Sequence, residues 1–204
     1  MNYILTDKEP KLPLKYFEDI SAIPHGSYNE KAISAFIADT AAKLGLYARV
    51  DERNNVVVKK PATPGYEHLP ALLLQAHVDM VNEKNSDSDH DFTKDGLKLI
   101  LEGNILRADG TTLGADDGKG VAYMLALMDS DSDTFPHPPL EFLFTTGEEV
   151  GFWGAMALDC SDITARRMIG LDAGPEGVVA TTSAGAQEVI FSIPTEYEPV
   201  KGDV

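Results

Sequence analysis

Cysteine is almost absent from this chain. Its 204 residues include only Cys160, which excludes an internal disulfide and a zinc site built from several thiolates. Long apolar runs are missing too. None approaches the roughly 18 residues of a membrane-spanning helix, and the opening MNYILTDKEPKLP has early charge and no apolar signal core. The address expected from this is cytoplasmic. Positive charge is scarce, with 17 Lys and Arg against 33 Asp and Glu, a formal net charge of -16. Without a basic stripe, neither nucleic acid nor an anionic membrane is an expected partner. No G-x-S-x-G occurs, so a serine-hydrolase elbow is lacking. What remains is ordinary globular material, 43% apolar and 25% charged, long enough for one large domain or one and part of another.

Two segments carry the most information. ALLLQAHVDM (71–80) and FLFTTGEEVG (142–151) are short apolar runs that end abruptly in acid or imidazole. Runs so apolar read as strands buried on both faces, as in a parallel sheet. The carboxyl ends of such strands are where open α/β sheets bind ligands. His77 and Asp79 leave one strand end, Glu148 and Glu149 another, and MIGLDAG (168–174) delivers Asp172 in the same way. LGADDGKG (113–120) sets Asp116 and Asp117 in a glycine-rich loop ahead of a helix. One imidazole among several carboxylates on neighbouring strand ends makes a site for divalent metal.

The rest of the chain alternates helices and strands, which predicts an α/β fold. Helical spacing covers 14–23, 29–45, with Ser27 or Asn29 as cap, and 118–130, with Val121, Met124, Leu125 and Met128 inward. Hairpins are expected around DERNN and around Glu102 and Gly103, and later strands at 178–182 and 187–194. The polar loop 82–96 follows the His77 strand. A further helix is expected to start at Gly151, with Phe152 and Trp153 in its core.

Each motif also has a plain structural reading. His77 is readable as a strand-end histidine satisfied by an acid, Asp116 and Asp117 as helix-start carboxylates, and the glutamates as a solvated turn. Two adjacent carboxylates repel by several kcal/mol at about 4 Å and an effective dielectric near 20, unless a proton or a cation intervenes. A phosphate loop at Gly118-Lys119 fails on spacing and on the aspartates. Calcium loops at 129–134 and 85–91 lack the needed glycine. Cys160 reads as a packed thiol. His25, His68 and His137 read as surface residues, while His90 lies in a loop expected to overhang the site.

Taken together the segments resemble the dizinc exopeptidases, and within them the aminoacyl-histidine dipeptidases. IPHGSYNE (23–30), KKPATPGYE (59–67), QAHVDMVNEKN (75–85), HDFTKDG (90–96), TTLGADDGKGVAYML (111–125), TTGEEVGFWGA (145–155) and LDAG (171–174) carry the likeness. It implies zinc-dependent hydrolysis of Xaa-His dipeptides such as carnosine by a metal-bridging hydroxide. Two Zn2+ are implied, with Co2+ or Mn2+ as substitutes. By the resemblance His77 and Asp172 are ligands of one zinc, Glu149 of the other, and Asp116 bridges them. Asp79 orients His77, and Glu148 is the general base. The alternatives are a related dizinc amidohydrolase acting on acyl-amino acids, or a non-catalytic metal-binding fragment.

The fold implied is a mostly parallel central sheet flanked by helices, an incomplete catalytic domain whose lid domain is missing. Residues 1–186 are expected to be its N-terminal part, and 187–204 to begin the lid or lead to it. The family's last zinc ligand, a histidine near the C-terminus, has no counterpart here. The 204 residues alone are expected to be inactive. A homodimer is implied for the full-length protein.

Overall fold

A computed structural model describes residues 3–131, 133–174, 177–183, 185 and 189–197. Residues up to Asp172 form one compact unit, and Ala173–Val204 a second. In chain order the first holds α1 (Lys11–Ser21), α2 (Lys31–Lys43), β1 (Tyr47–Val50), β2 (Val56–Lys60), β3 (Leu72–His77), β4 (Leu99–Glu102), β5 (Ile105–Ala108), α3 (Ala115–Met128), β6 (Leu140–Thr145), α4 (Trp153–Met156) and β7 (Arg167–Gly170).

Five strands form one sheet in the order β1-β2-β6-β3-β7. β6 and β7 both run parallel to β3, while β2 runs antiparallel to β6 and to β1. Four of the five strands thus point one way, as the apolar runs predicted. Every residue of β6 is buried, because it lies mid-sheet with both faces covered. Its side chains alternate: Phe142 and Phe144 join the larger core with Tyr16 and Phe17 of α1, Ile33 and Ile37 of α2, and Val121, Met124 and Leu125 of α3. Leu143 faces the other way, onto Val57, Leu73 and Ala165. Burying each large apolar side chain contributes about 1.5–3 kcal/mol. β4 and β5 form a separate hairpin, at the turn expected around Gly103.

Lys60 ends β2 beneath the last turn of α3. Its ammonium donates to the carbonyls of Leu127 (2.9 Å), Met128 (3.1 Å) and Ser130 (2.7 Å). A buried cation there adds a donor to carbonyls at and just past the helix end and faces its negative pole.

Several local expectations are corrected. α2 starts after Glu30, not at a Ser27 or Asn29 cap, since both of those side chains turn to other partners. α3 begins earlier than expected, at Ala115, with Asp116 and Asp117 in non-helical backbone. α4 is a single turn, with Phe152 exposed in the left-handed region and Trp153 half-buried; flanking glycines give it little helix propensity. The strand expected at 178–182 does not form, nor does one over 189–194. Their β-branched pattern finds no ladder partner among the described residues. Residues 187 and 188 of that expectation lie outside the described residues.

Candidate metal centre

Register assembles the site. β3 and β6 pair so that His77 stands opposite Thr145, and Leu171 N–H donates to the Gln75 carbonyl at 2.8 Å as the chain leaves β7. Three carboxyl ends therefore lie side by side, and the residues just past them meet. The Asp116 loop arrives from α3. It passes Met80 so closely that a side chain at Gly114 would meet the Met80 sulfur at 2.8 Å.

His77 is the hub, only 1% exposed. Its Nδ1 lies 2.9 Å from the Asp79 main-chain carbonyl. A carbonyl only accepts, so Nδ1 carries the proton and Nε2 is left to face the acids. Nε2 lies 3.1 Å from Asp116 Oδ1, 3.9 Å from Asp172 Oδ2 and 4.0 Å from Glu148 Oε2. Two groups of donors, His77–Asp116–Asp172 and His77–Glu148–Glu149, each have ligand atoms within 4.8 Å of one another. All four expected ligands thus fall in clusters that share one imidazole, together with the expected base.

The Asp79 carboxylate has a wider reach than the sequence suggested. It lies 3.6 Å from His77 Nδ1, so it acts on the ring mainly through charge. Its hydrogen bonds come from elsewhere: Glu148 N–H at 3.0 Å, Glu149 N–H at 3.3 Å and the Ser27 hydroxyl at 2.9 Å. Burial pushes its pKa up, but these donors and His77 outweigh that and hold it below the usual carboxylate range.

Charge is unbalanced here. Burial opposes a charge on His77, yet Asp79, Asp116 and Glu148 outweigh it and push the imidazole up to about 9. Burial raises Glu148 and Glu149 above the ordinary value, and neighbouring carboxylates add to the rise. Asp117 is fully buried and is pushed up to about 7, by burial first and by Asp172 second. Its Oδ2 has no hydrogen-bond partner. Acids held together against their own repulsion, around a neutralisable imidazole, fit a divalent cation that takes oxygen and nitrogen ligands.

Sequence reasoning missed some supports. Ser27 was expected only as a helix cap. His25 and His137 are buried, not on the surface; adjacent loop prolines and glycines hid this, and each ring binds a nearby carbonyl, Ile23 or Pro138. His68 is exposed as expected. Cys160 is exposed instead of packed, because its turn lies outside the strands and helices.

The chain is similar to known peptidases. The chain is 37% identical over 196 residues to the cytosol non-specific dipeptidase of Escherichia coli, covering 96% of this chain and 40% of the relative. The crystal structure of aminoacylhistidine dipeptidase from Vibrio alginolyticus matches with a TM-score of 0.81 and 40% identity, over 85% of this chain and 35% of that one. A tripeptidase from Staphylococcus aureus matches with a TM-score of 0.68 and 27% identity, over 80% and 43%. The chain therefore spans about two fifths of the length of these relatives. The profile of peptidase family M28 fits residues 55–170, from the start of β2 to the end of β7, and with four of the five sheet strands and more than half of the chain inside that match, the chain belongs to this peptidase family.

Proposed function

We propose that these residues supply the metal-binding and proton-transfer part of a dipeptidase active site, and that the full-length protein hydrolyses dipeptides, Xaa-His dipeptides such as carnosine among them. The observation that carries this reading is the single imidazole of His77 facing Asp116, Asp172 and Glu148, all within about 4 Å. His77 and Asp172 would hold one metal, Glu149 the other, and Asp116 both. Zinc suits this donor set, with cobalt or manganese as substitutes.

Bound metal would polarise the peptide carbonyl and acidify a water molecule. The chain's own residues do the rest. His77 keeps its proton on Nδ1, against the Asp79 carbonyl, which leaves Nε2 free to ligate. Asp79 grips the backbone of the acidic turn, so the Glu148 carboxylate has a fixed origin. Glu148 takes a proton from the attacking water and passes it to the leaving amine.

Residues 1–186 are read as part of the catalytic domain, and 187–204 as the approach to a lid. Among the described residues the second metal position draws Glu149 and Asp116, fewer than the three protein ligands usual for catalytic zinc. The 204 residues alone should therefore hydrolyse carnosine weakly or not at all. A cytoplasmic homodimer completes the reading. The Escherichia coli relative is named as cytosolic, and no described helix is long and apolar enough to cross a membrane.

The test is zinc quantification together with hydrolysis of carnosine and of dipeptides lacking histidine, on the full-length protein. The second substrate set matters because the Escherichia coli relative is named non-specific. Zinc-loaded protein that cleaves none of them would overturn the reading.

A further inference from the structure

The loop 26–30, between α1 and α2, has no part in the chemistry above, yet it touches the site at two points. Gly26 bridges Met80 in parallel, and Ser27 N–H donates to the Met80 carbonyl at 3.2 Å. This fixes the Ser27 backbone beside the exit of β3. From there the Ser27 hydroxyl donates to Asp79 Oδ2 at 2.9 Å. The second point is Glu30, buried to 2% exposure. Its carboxylate accepts from Tyr28 N–H at 3.0 Å; burial pushes it above the usual carboxylate range, and the Tyr28 and Gly147 amides oppose that rise. Tyr28 also stacks on Trp153, ring centroids 6.4 Å apart and planes 7° apart. The Trp153 indole in turn sits where a side chain on Gly147 would be.

Asp79 is the pivot of this arrangement. Three donors share its two oxygens, the Ser27 hydroxyl and the amides of Glu148 and Glu149. Two of those donors belong to the turn being held. With them alone, carboxylate and turn can shift together, because the terminal torsion of an aspartate is broad. The hydroxyl is the donor that ties the carboxylate to a different part of the chain. Asp79 is 1% exposed, so no bulk solvent replaces a lost donor, and an unmet bond to a buried charge is expensive.

We propose that Ser27 is a positioning residue for Glu148. Through Asp79 it fixes the Glu148–Glu149 turn, and so the direction from which the base meets its water. This rests on the dipeptidase reading above and assigns a role to a residue outside its chemistry.

Ser27→Thr and Ser27→Val test this as a pair in the full-length protein, since they share a shape and differ by the hydroxyl. The expected result is a kcat for Ser27→Val roughly tenfold below that of Ser27→Thr, the effect of one lost bond to a charged acceptor. KM and zinc content should match within about twofold. In chelated, metal-free protein the Glu148 and Glu149 amides should exchange hydrogen faster in the Val variant. Equal kcat and equal exchange in the two variants would overturn the proposal. So would a loss of kcat that merely follows a loss of zinc. If wild-type protein hydrolyses no dipeptide, the function is misread, and the exchange comparison still decides the role of Ser27.

Discussion

Zinc and protons should compete for one nitrogen, Nε2 of His77. In the metal-free site the imidazole is pushed up to about 9, burial opposing its charge and the carboxylates of Asp79 and Asp116 outweighing burial. A ligating imidazole must be neutral. At pH 7 the metal therefore displaces a proton held about two pH units above ambient, which weakens binding roughly a hundredfold, or about 3 kcal/mol. The sign follows directly: affinity rises with pH and levels off above about 9. Between pH 7 and 9 the apparent Kd should fall about tenfold per pH unit, with close to one proton released by His77. Asp117, pushed up to about 7, adds to the release below that pH. The same shift affects the metal-free fold. His77 charge stabilises it fully below pH 6.5, and that contribution is lost as pH rises through about 9. Calorimetric titration of zinc into chelated full-length protein, in buffers of different ionisation enthalpy, reads both affinity and proton release. A Kd constant from pH 6.5 to 9, or no proton release at pH 7.5, would refute the competition.

Glu148→Gln should lower kcat by roughly 10²–10⁴-fold, the range for a lost general base, and leave zinc content unchanged; Glu149→Gln should lower zinc content too. Metal analysis beside kinetics would show the two roles reversed if the first variant lost zinc and the second kept it. Gly147→Ala forces a residue at φ 62° to carry a side chain into the Trp153 indole. It should cost more than about 2 kcal/mol, visible as a lowered melting temperature, and an unchanged melt would be the contrary result. Lys60→Met removes the donor that the carbonyls of Leu127, Met128 and Ser130 share past the end of α3, leaves buried Met128 the most exposed to the loss, and should cost about 1–3 kcal/mol. An unaltered urea midpoint would show that water replaces the ammonium.

The sequence was most legible where one residue type has one use. An apolar run such as 71–76 has to be buried, and the point where it stops in His77 marks a strand end without any tertiary knowledge. The same holds for Glu148 after β6 and Asp172 after β7. Contacts made by loops were not legible. His25 and His137 follow no period, and their burial depends on segments that only the completed fold brings over them. Ser27 illustrates the ambiguity best. A serine two residues before the expected helix start at Asn29 reads as a cap, and only the path of β3 brings Asp79 within reach of its hydroxyl. The segments 178–182 and 189–194 show the converse. A strand-like pattern is a property of the residues, whereas a strand is a property of a pair.

The pairing of β3 with β6 makes the centre a reporter of folding. The two strands are parallel, and residues 78–139 must cross over before they meet. Such distant pairing forms slowly. A slip of one residue would turn every side chain of β3 to the opposite face, carrying His77 away from Glu148. No partly correct register can therefore bind metal through His77 and the acidic turn together. During refolding, the appearance of metal affinity should coincide with completion of the sheet, and so time the slowest step of its assembly.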